Sequence, residues 1–215
     1  LNQLDSEELK LVRKKDELDF LKYSEAEMEV CEKMLPSARE LDEFWKHSSA
    51  IDQVEMRVVG ERGFSKAAWN ICRVGMHSAE FNKSPGRSLG AVAGFTNALG
   101  FRILGLISLN SDSYKLKTRD EHIGWNTVQR ERNRECVVNL NVCCPSQPFG
   151  YNYLGGKFIS LFVRHLIPVW EDKYKTKIVA IVSSSLHDGL GQYDGMNYWK
   201  KLGSSSGRML IKPLR

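Results

Sequence analysis

The sequence predicts an α+β protein with a helical extension at its N-terminus, and three stretches carry that reading. Phe101 to Asn110 (Phe-Arg-Ile-Leu-Gly-Leu-Ile-Ser-Leu-Asn) is nearly continuous in apolar residues, as a central strand buried on both faces would be. Cys136 to Leu166 reads as a strand, a glycine-bearing turn and a helix. Residues 1–47 are rich in charge, with Leu4, Leu9, Leu11, Val12, Leu18, Leu21 and Met28 recurring every three or four positions.

In chain order, Pro36 interrupts the first helical stretch, and Ser37 stands where a cap would start a short helix containing Leu41, Phe44 and Trp45. Gln53 to Val59 alternates weakly and predicts a strand, and Ser65 caps a helix over Ser65 to Cys72. Asn82 to Gly90 reads as a basic, glycine-bearing loop, with Lys83 and Arg87 as phosphate contacts or as a solvated surface. After the Phe101 strand come a polar turn, the segment Arg119 to Trp125, and a polar helix over Asn126 to Arg134. Val137 to Cys143 is a short strand ended by Pro145 and Pro148, which cannot donate to a ladder. From Lys157, Phe158, Leu161, Phe162, His165 and Leu166 fall at helical spacing. Lys177 to Ser183 is a further buried strand, Gly189 to Gly195 a turn, and Met196 to Leu202 a short helix ended by Gly203.

With 215 residues, 42% hydrophobic and 27% charged, the chain has an ordinary globular composition and is long enough to bury a core without staples. A net charge of +5 is compatible with a polyanionic partner. Five cysteines with no CxxC pair read as reduced thiols of a cytoplasmic protein, not as a disulfide framework or a metal site. The apolar runs are too short to span a bilayer, so no membrane partner is expected. No signal-peptide pattern opens the chain, and the start at Leu1 suggests a trimmed or partial chain.

Two sites stand out. The strand–turn–helix unit around residues 147–157 has the geometry to hold a phosphate at a helix N-terminus, although an ordinary βα core unit reads the same way. Arg119, Arg130, Arg132 and Arg134, with His122 and Trp125 among them, form a basic aromatic segment suited to a nucleic-acid backbone and a stacked base. Glu131 and Glu135 give it a second reading, a solvated helix face stabilised by its own pairs.

The order of elements in the second half resembles the GNAT acyltransferase fold. The closer similarity is to the DruA domain of the Druantia anti-phage system and to the related phage Mom DNA-modification proteins. Arg119-Asp-Glu-His-Ile-Gly-Trp-Asn-Thr-Val-Gln-Arg looks like the DruA-type RDxxIGWxxxQR segment. Asn152-Tyr-Leu-Gly-Gly-Lys-Phe-Ile-Ser-Leu looks like the helix start that follows it. Tyr193 to Gly203 is similar to the terminal YxxANWxxLG element, with Ser204 to Gly207 in place of a TxGRG-like tail. The resemblance covers roughly residues 100–210. It implies a GNAT-like central mixed sheet flanked by helices over residues 48–215, following the 1–47 extension. It also implies an acyl-CoA-type cofactor held by Gln147, Gly150, Asn152, Gly155, Gly156 and Lys157, and proton transfer by Tyr193, Tyr198 and Asp188, with His187 an alternative to Asp188. Nucleic-acid contacts would fall to Arg119, Trp125, Arg130 and Arg134. Two departures from the family patterns stand out: Tyr151-Asn152 breaks the second half of the acyl-CoA loop pattern, and Asn197-Tyr198 replaces the expected Ala-Asn before Trp199.

Two functions follow as expectations. One is a Mom-like transferase that modifies a nucleobase amine in DNA, phage or mobile-element encoded. The other is a non-catalytic GNAT-like module that binds DNA or protein in a defence, counter-defence or virion assembly. Either would work in a bacterial or infected host cytoplasm, with DNA as partner and with protein partners or self-association through the N-terminal helices.

Overall fold

The computed structural model describes residues 14–16, 18–19, 21–60, 63–77, 86–112, 116–183 and 191–202. Five strands form one mixed sheet in the order β1-β2-β3-β4-β5: Glu55–Val58, Ser88–Asn97, Gly100–Ser111, Val137–Pro145 and Ala180–Val182. β1 to β4 are antiparallel neighbours, and β4 and β5 run parallel. The α+β class with a mixed sheet flanked by helices is therefore the architecture observed.

Side-chain alternation along the strands loads both faces. Ala91, Ala93 and Phe95 of β2 face one layer with Leu109 and Leu140, while Val92 faces the other with Leu106 and Val142. The second layer receives α1 (Glu25–Lys33) and α3 (Lys66–Met76), which bury Cys31, Trp69, Ile71 and Cys72. The first receives α2 (Ala38–Trp45), then α6 (Phe149–Asn152), α7 (Gly155–Phe162) and α8 (Leu166–Tyr174). α4 (Lys117–Ile123) and α5 (Thr127–Asn133) fill the β3–β4 connection.

Local chemistry explains several helix starts. Ser37 and Glu40 form a reciprocal capping box at α2, Ser65 accepts from the Ala68 N–H at α3, and Asn126 and Gln129 form a box at α5. Gly124 ends α4 in the left-handed conformation, φ 80°, which glycine adopts without a Cβ penalty. Across the 47/48 boundary the chain is tied together. Leu41 and Phe44 are buried on the sheet, Arg102 Nε donates to Glu40 Oε1 at 2.6 Å, and the Ile103 N–H donates to the Met34 carbonyl at 2.8 Å.

Three local expectations need correction. β2 is a ten-residue strand that begins inside the segment read as a loop. Met196 to Leu202 forms turns, not a helix, with Trp199 packed on the Tyr193 ring at 4.4 Å. The Lys157–Leu166 helix is two helices, α7 and α8, joined by a 3-10 turn over Val163–His165.

Candidate functional site at the splayed edge of strand 4

The pairing of β4 with β5 stops at Asn139↔Val182, while β4 runs on to Pro145. On its other side the register passes from Ser108↔Val142 to Leu109↔Leu140, so Asn141 bulges and bends the strand. Beyond the bulge the outer edge of β4 has no strand partner among the described residues, and the 191–199 segment lies there instead. Gln192 Nε2 donates to the Cys143 carbonyl at 2.9 Å, and Ser183 Oγ donates to the Leu140 carbonyl at 3.4 Å. The Tyr193 hydroxyl meets Ser183 Oγ at 3.3 Å. Burial, with Cys143 beside it, raises the Tyr193 phenol above its ordinary range, so it stays protonated at neutral pH. Burial also pushes the Cys143 and Cys144 thiols up to about 12, which leaves both as inert thiols.

At its end β4 turns into α7 through residues 146–154. Ser146, fully buried, pins the turn to β3 by donating from its hydroxyl to the Ile103 carbonyl at 2.7 Å. The N–H groups of residues 150–153 are all used within the turn. Gly150 donates to the Ser146 carbonyl at 2.8 Å and Tyr151 to Gln147 Oε1 at 3.3 Å. Asn152 donates to the Pro148 carbonyl at 3.1 Å and Tyr153 to the Phe149 carbonyl at 3.2 Å. Leu154, at φ 53°, precedes Gly155 and Gly156 at the start of α7, which has no side-chain cap. Lys157 Nζ donates to the Asp194 carbonyl, and a Cβ on Gly156 would lie 2.8 Å from Gln192 Oε1.

The structure thus gathers Gln147, Gly150, Gly155, Gly156, Lys157 and Tyr193 around one turn and the strand edge beside it. Asn152 faces solvent, and Tyr198 is 88% exposed. Asp188 and His187 lie outside the described residues, as does Lys83. The sequence reading missed Gln192 and Ser146. Neither has a local signal, because each acts on a carbonyl more than forty residues away.

The basic segment is arranged differently from the reading of its arginines as a contact surface. Arg119 is 1% exposed, donates from Nε to Asp120 Oδ1 at 2.8 Å, and pairs with Asp112 through Nη1. Arg130 is buried and pairs with Asp120 at 3.2 Å. Burial raises the Asp120 carboxyl, but its bonds to Arg119 and Arg130 outweigh that and hold it below its ordinary value. The Arg119 guanidinium also lies 5.6 Å from the centre of the Trp125 ring. The two arginines hold a folded knot of charge, while His122, Arg132 and Arg134 are the exposed members of the segment and Trp125 is half-buried. Asp120 was legible as the neighbour of Arg119 in the motif; Asp112 was not.

The chain is an α+β protein with a mixed sheet, a splayed β4–β5 edge and a buried Arg–Asp cluster. A family model described as Druantia protein DruA matches residues 3–210, so the chain belongs to the DruA family, which associates it with anti-phage defence. The match reaches far beyond the 100–210 stretch that carries the sequence resemblance. No curated protein and no solved structure matches the chain. No helix among the described residues is long and apolar enough to cross a membrane.

Proposed function

We propose that the chain is a nucleic-acid-binding component of an anti-phage defence assembly, built on a GNAT-like scaffold that has closed its cofactor cradle. The antiparallel run into β4 followed by a parallel β5 supports the GNAT-like reading. One observation carries the non-catalytic part: within the 150–156 cradle, the N–H groups of residues 150–153 are spent inside the turn, where a pyrophosphate would compete for them. Gln192 and Tyr193 occupy the strand edge that an acyl arm would line. Both features favour a turn that no longer holds an acyl-CoA cofactor. The net charge of +5, the exposed Arg134 and the half-buried Trp125 beside it in the segment favour a nucleic-acid partner.

The position of Tyr193 supports a second reading, the Mom-like transferase. A protonated phenol at the β4–β5 splay is where a general acid would stand. Nucleoside mass spectrometry of DNA from cells expressing the chain separates the two. The binding reading expects unmodified nucleosides together with DNA binding by the purified protein. A new nucleoside that vanishes in Tyr193→Phe would replace it with the transferase.

A further inference from the structure

We propose that a cavity at the opposite end of the sheet binds the phosphate of a nucleotide, which deepens the nucleic-acid reading above and rests on it for the choice of ligand. The cavity, of about 280 Å³, lies where β2 begins, β3 ends and β4 begins, with α8 behind it. That is close to the lower limit of small-ligand pockets. Its walls include Arg87, Ser111, Asp112, Arg134, Glu135 and Trp170.

Two features mark it as a site for an acceptor-rich ligand. Arg134 is exposed, and its guanidinium makes no hydrogen bond or ion pair among the described residues. Arg87 is held in place rather than neutralised. Its Nη1 reaches Glu135 at 3.3 Å and Thr176 Oγ1 at 3.0 Å, leaving further N–H groups of the fork to bind. Trp170, only 2% exposed, forms part of the wall and supplies an apolar surface beside the two arginines.

The charges agree with that assignment. Asp112 is already neutralised by Arg119 behind it, so Arg87 and Arg134 face one remaining carboxylate, Glu135. An anion is favoured, and Glu135 and Ser111 can accept from sugar hydroxyls or a base amine. The phosphate belongs either to a free mononucleotide or to the 5′ end of a strand.

Two 3′-labelled single-stranded DNAs of one sequence, one with a 5′-phosphate and one with a 5′-hydroxyl, would be titrated by fluorescence anisotropy. Free dAMP and deoxyadenosine would be added as competitors. The expected result is about ten-fold tighter binding of the phosphorylated strand, or competition by dAMP and not by deoxyadenosine, the size of one charge-assisted contact. The first outcome assigns a strand end and the second a free nucleotide. Arg134→Gln, at an exposed position, and Arg87→Gln should each remove most of that preference. Equal binding of both strands with no competition by dAMP overturns the cavity proposal and leaves the nucleic-acid reading standing. Binding of dAMP without binding of either strand keeps the cavity and overturns that reading. Absence of all binding overturns both.

Discussion

Gln192 Nε2 donates to the carbonyl oxygen of Cys143 at 2.9 Å, so a residue near the C-terminal end seals the strand edge that the β4 bulge leaves open. Gln192→Ala leaves that carbonyl without its donor. The expected loss is about 1–2 kcal/mol in urea unfolding, the usual cost of an orphaned group. Acetyl-CoA should still not raise Tm in this variant, because the N–H groups of residues 150–153 remain spent. A thermal shift with acetyl-CoA in Gln192→Ala would show that Gln192 alone keeps the cradle shut.

Gly105 sits where β3 passes beneath α7. A Cβ there would lie 2.6 Å from Ile159 Cγ1 and 2.8 Å from the Cys144 carbonyl oxygen. Gly105→Ala should destabilise the protein by about 1–3 kcal/mol through overpacking. Trimming the side chain with Ile159→Val should recover only part of that loss, since the Cys144 carbonyl belongs to the sheet and cannot give way. Full recovery in the double variant would mean that the helix, not the sheet, sets the constraint.

The buried pair of Asp120 with Arg119 and Arg130 holds the β3–β4 connection together. Asp120→Asn leaves two guanidinium groups short of a carboxylate, and about 3–5 kcal/mol of stability should go with it. Arg119→Lys should fare little better, because an ammonium cannot span Asp112 and Asp120 as the planar fork does. Chemical denaturation of both variants checks this, and a loss below about 1 kcal/mol in Asp120→Asn would remove the knot from the account.

Glu40 sets an acid-sensitive window. Burial pushes its carboxyl up, but the Ser37 N–H and hydroxyl, Arg102 and Asn97 together bring it down to about 2. A carboxylate depressed in the folded state contributes its stability above the unfolded pKa of about 4.3 and loses it as pH falls toward the folded value. The contribution is at most a few kcal/mol and is reduced by solvent screening, because the carboxylate is partly exposed. Wild-type Tm should therefore fall between about pH 4.5 and pH 2. Glu40→Gln should start lower at pH 7 and show a shallower fall, read by melts across that range.

The fold was legible where local chemistry decides it. Ser37 and Ser65 announced their helices because a cap acts within four residues. β2 was hidden because Ser88-Leu-Gly-Ala-Val-Ala-Gly is small and glycine-bearing. It becomes a strand by lying between β1 and β3, which local propensity does not register. The Met196–Leu202 segment has a helix-like composition, but its aromatic packing on Tyr193 wins over a single turn of helix. At the site, the turn was readable from its own glycines and prolines, and Tyr193 from the family resemblance. The burial of Arg119 and Arg130 was not, because charge alone does not say whether an arginine faces water or an aspartate elsewhere in the chain.

The measurement that reaches the central claim most directly is a DNA titration of the wild type and of an Arg134→Glu, Trp125→Ala variant over a range of salt, beside an acetyl-CoA titration of the same wild-type protein. The account predicts DNA binding that weakens linearly with log salt, at least about ten-fold weaker binding by the variant, and no heat or thermal shift with acetyl-CoA. Micromolar acetyl-CoA binding, with DNA affinity absent or unchanged in the variant, would contradict it and return the chain to the transferases.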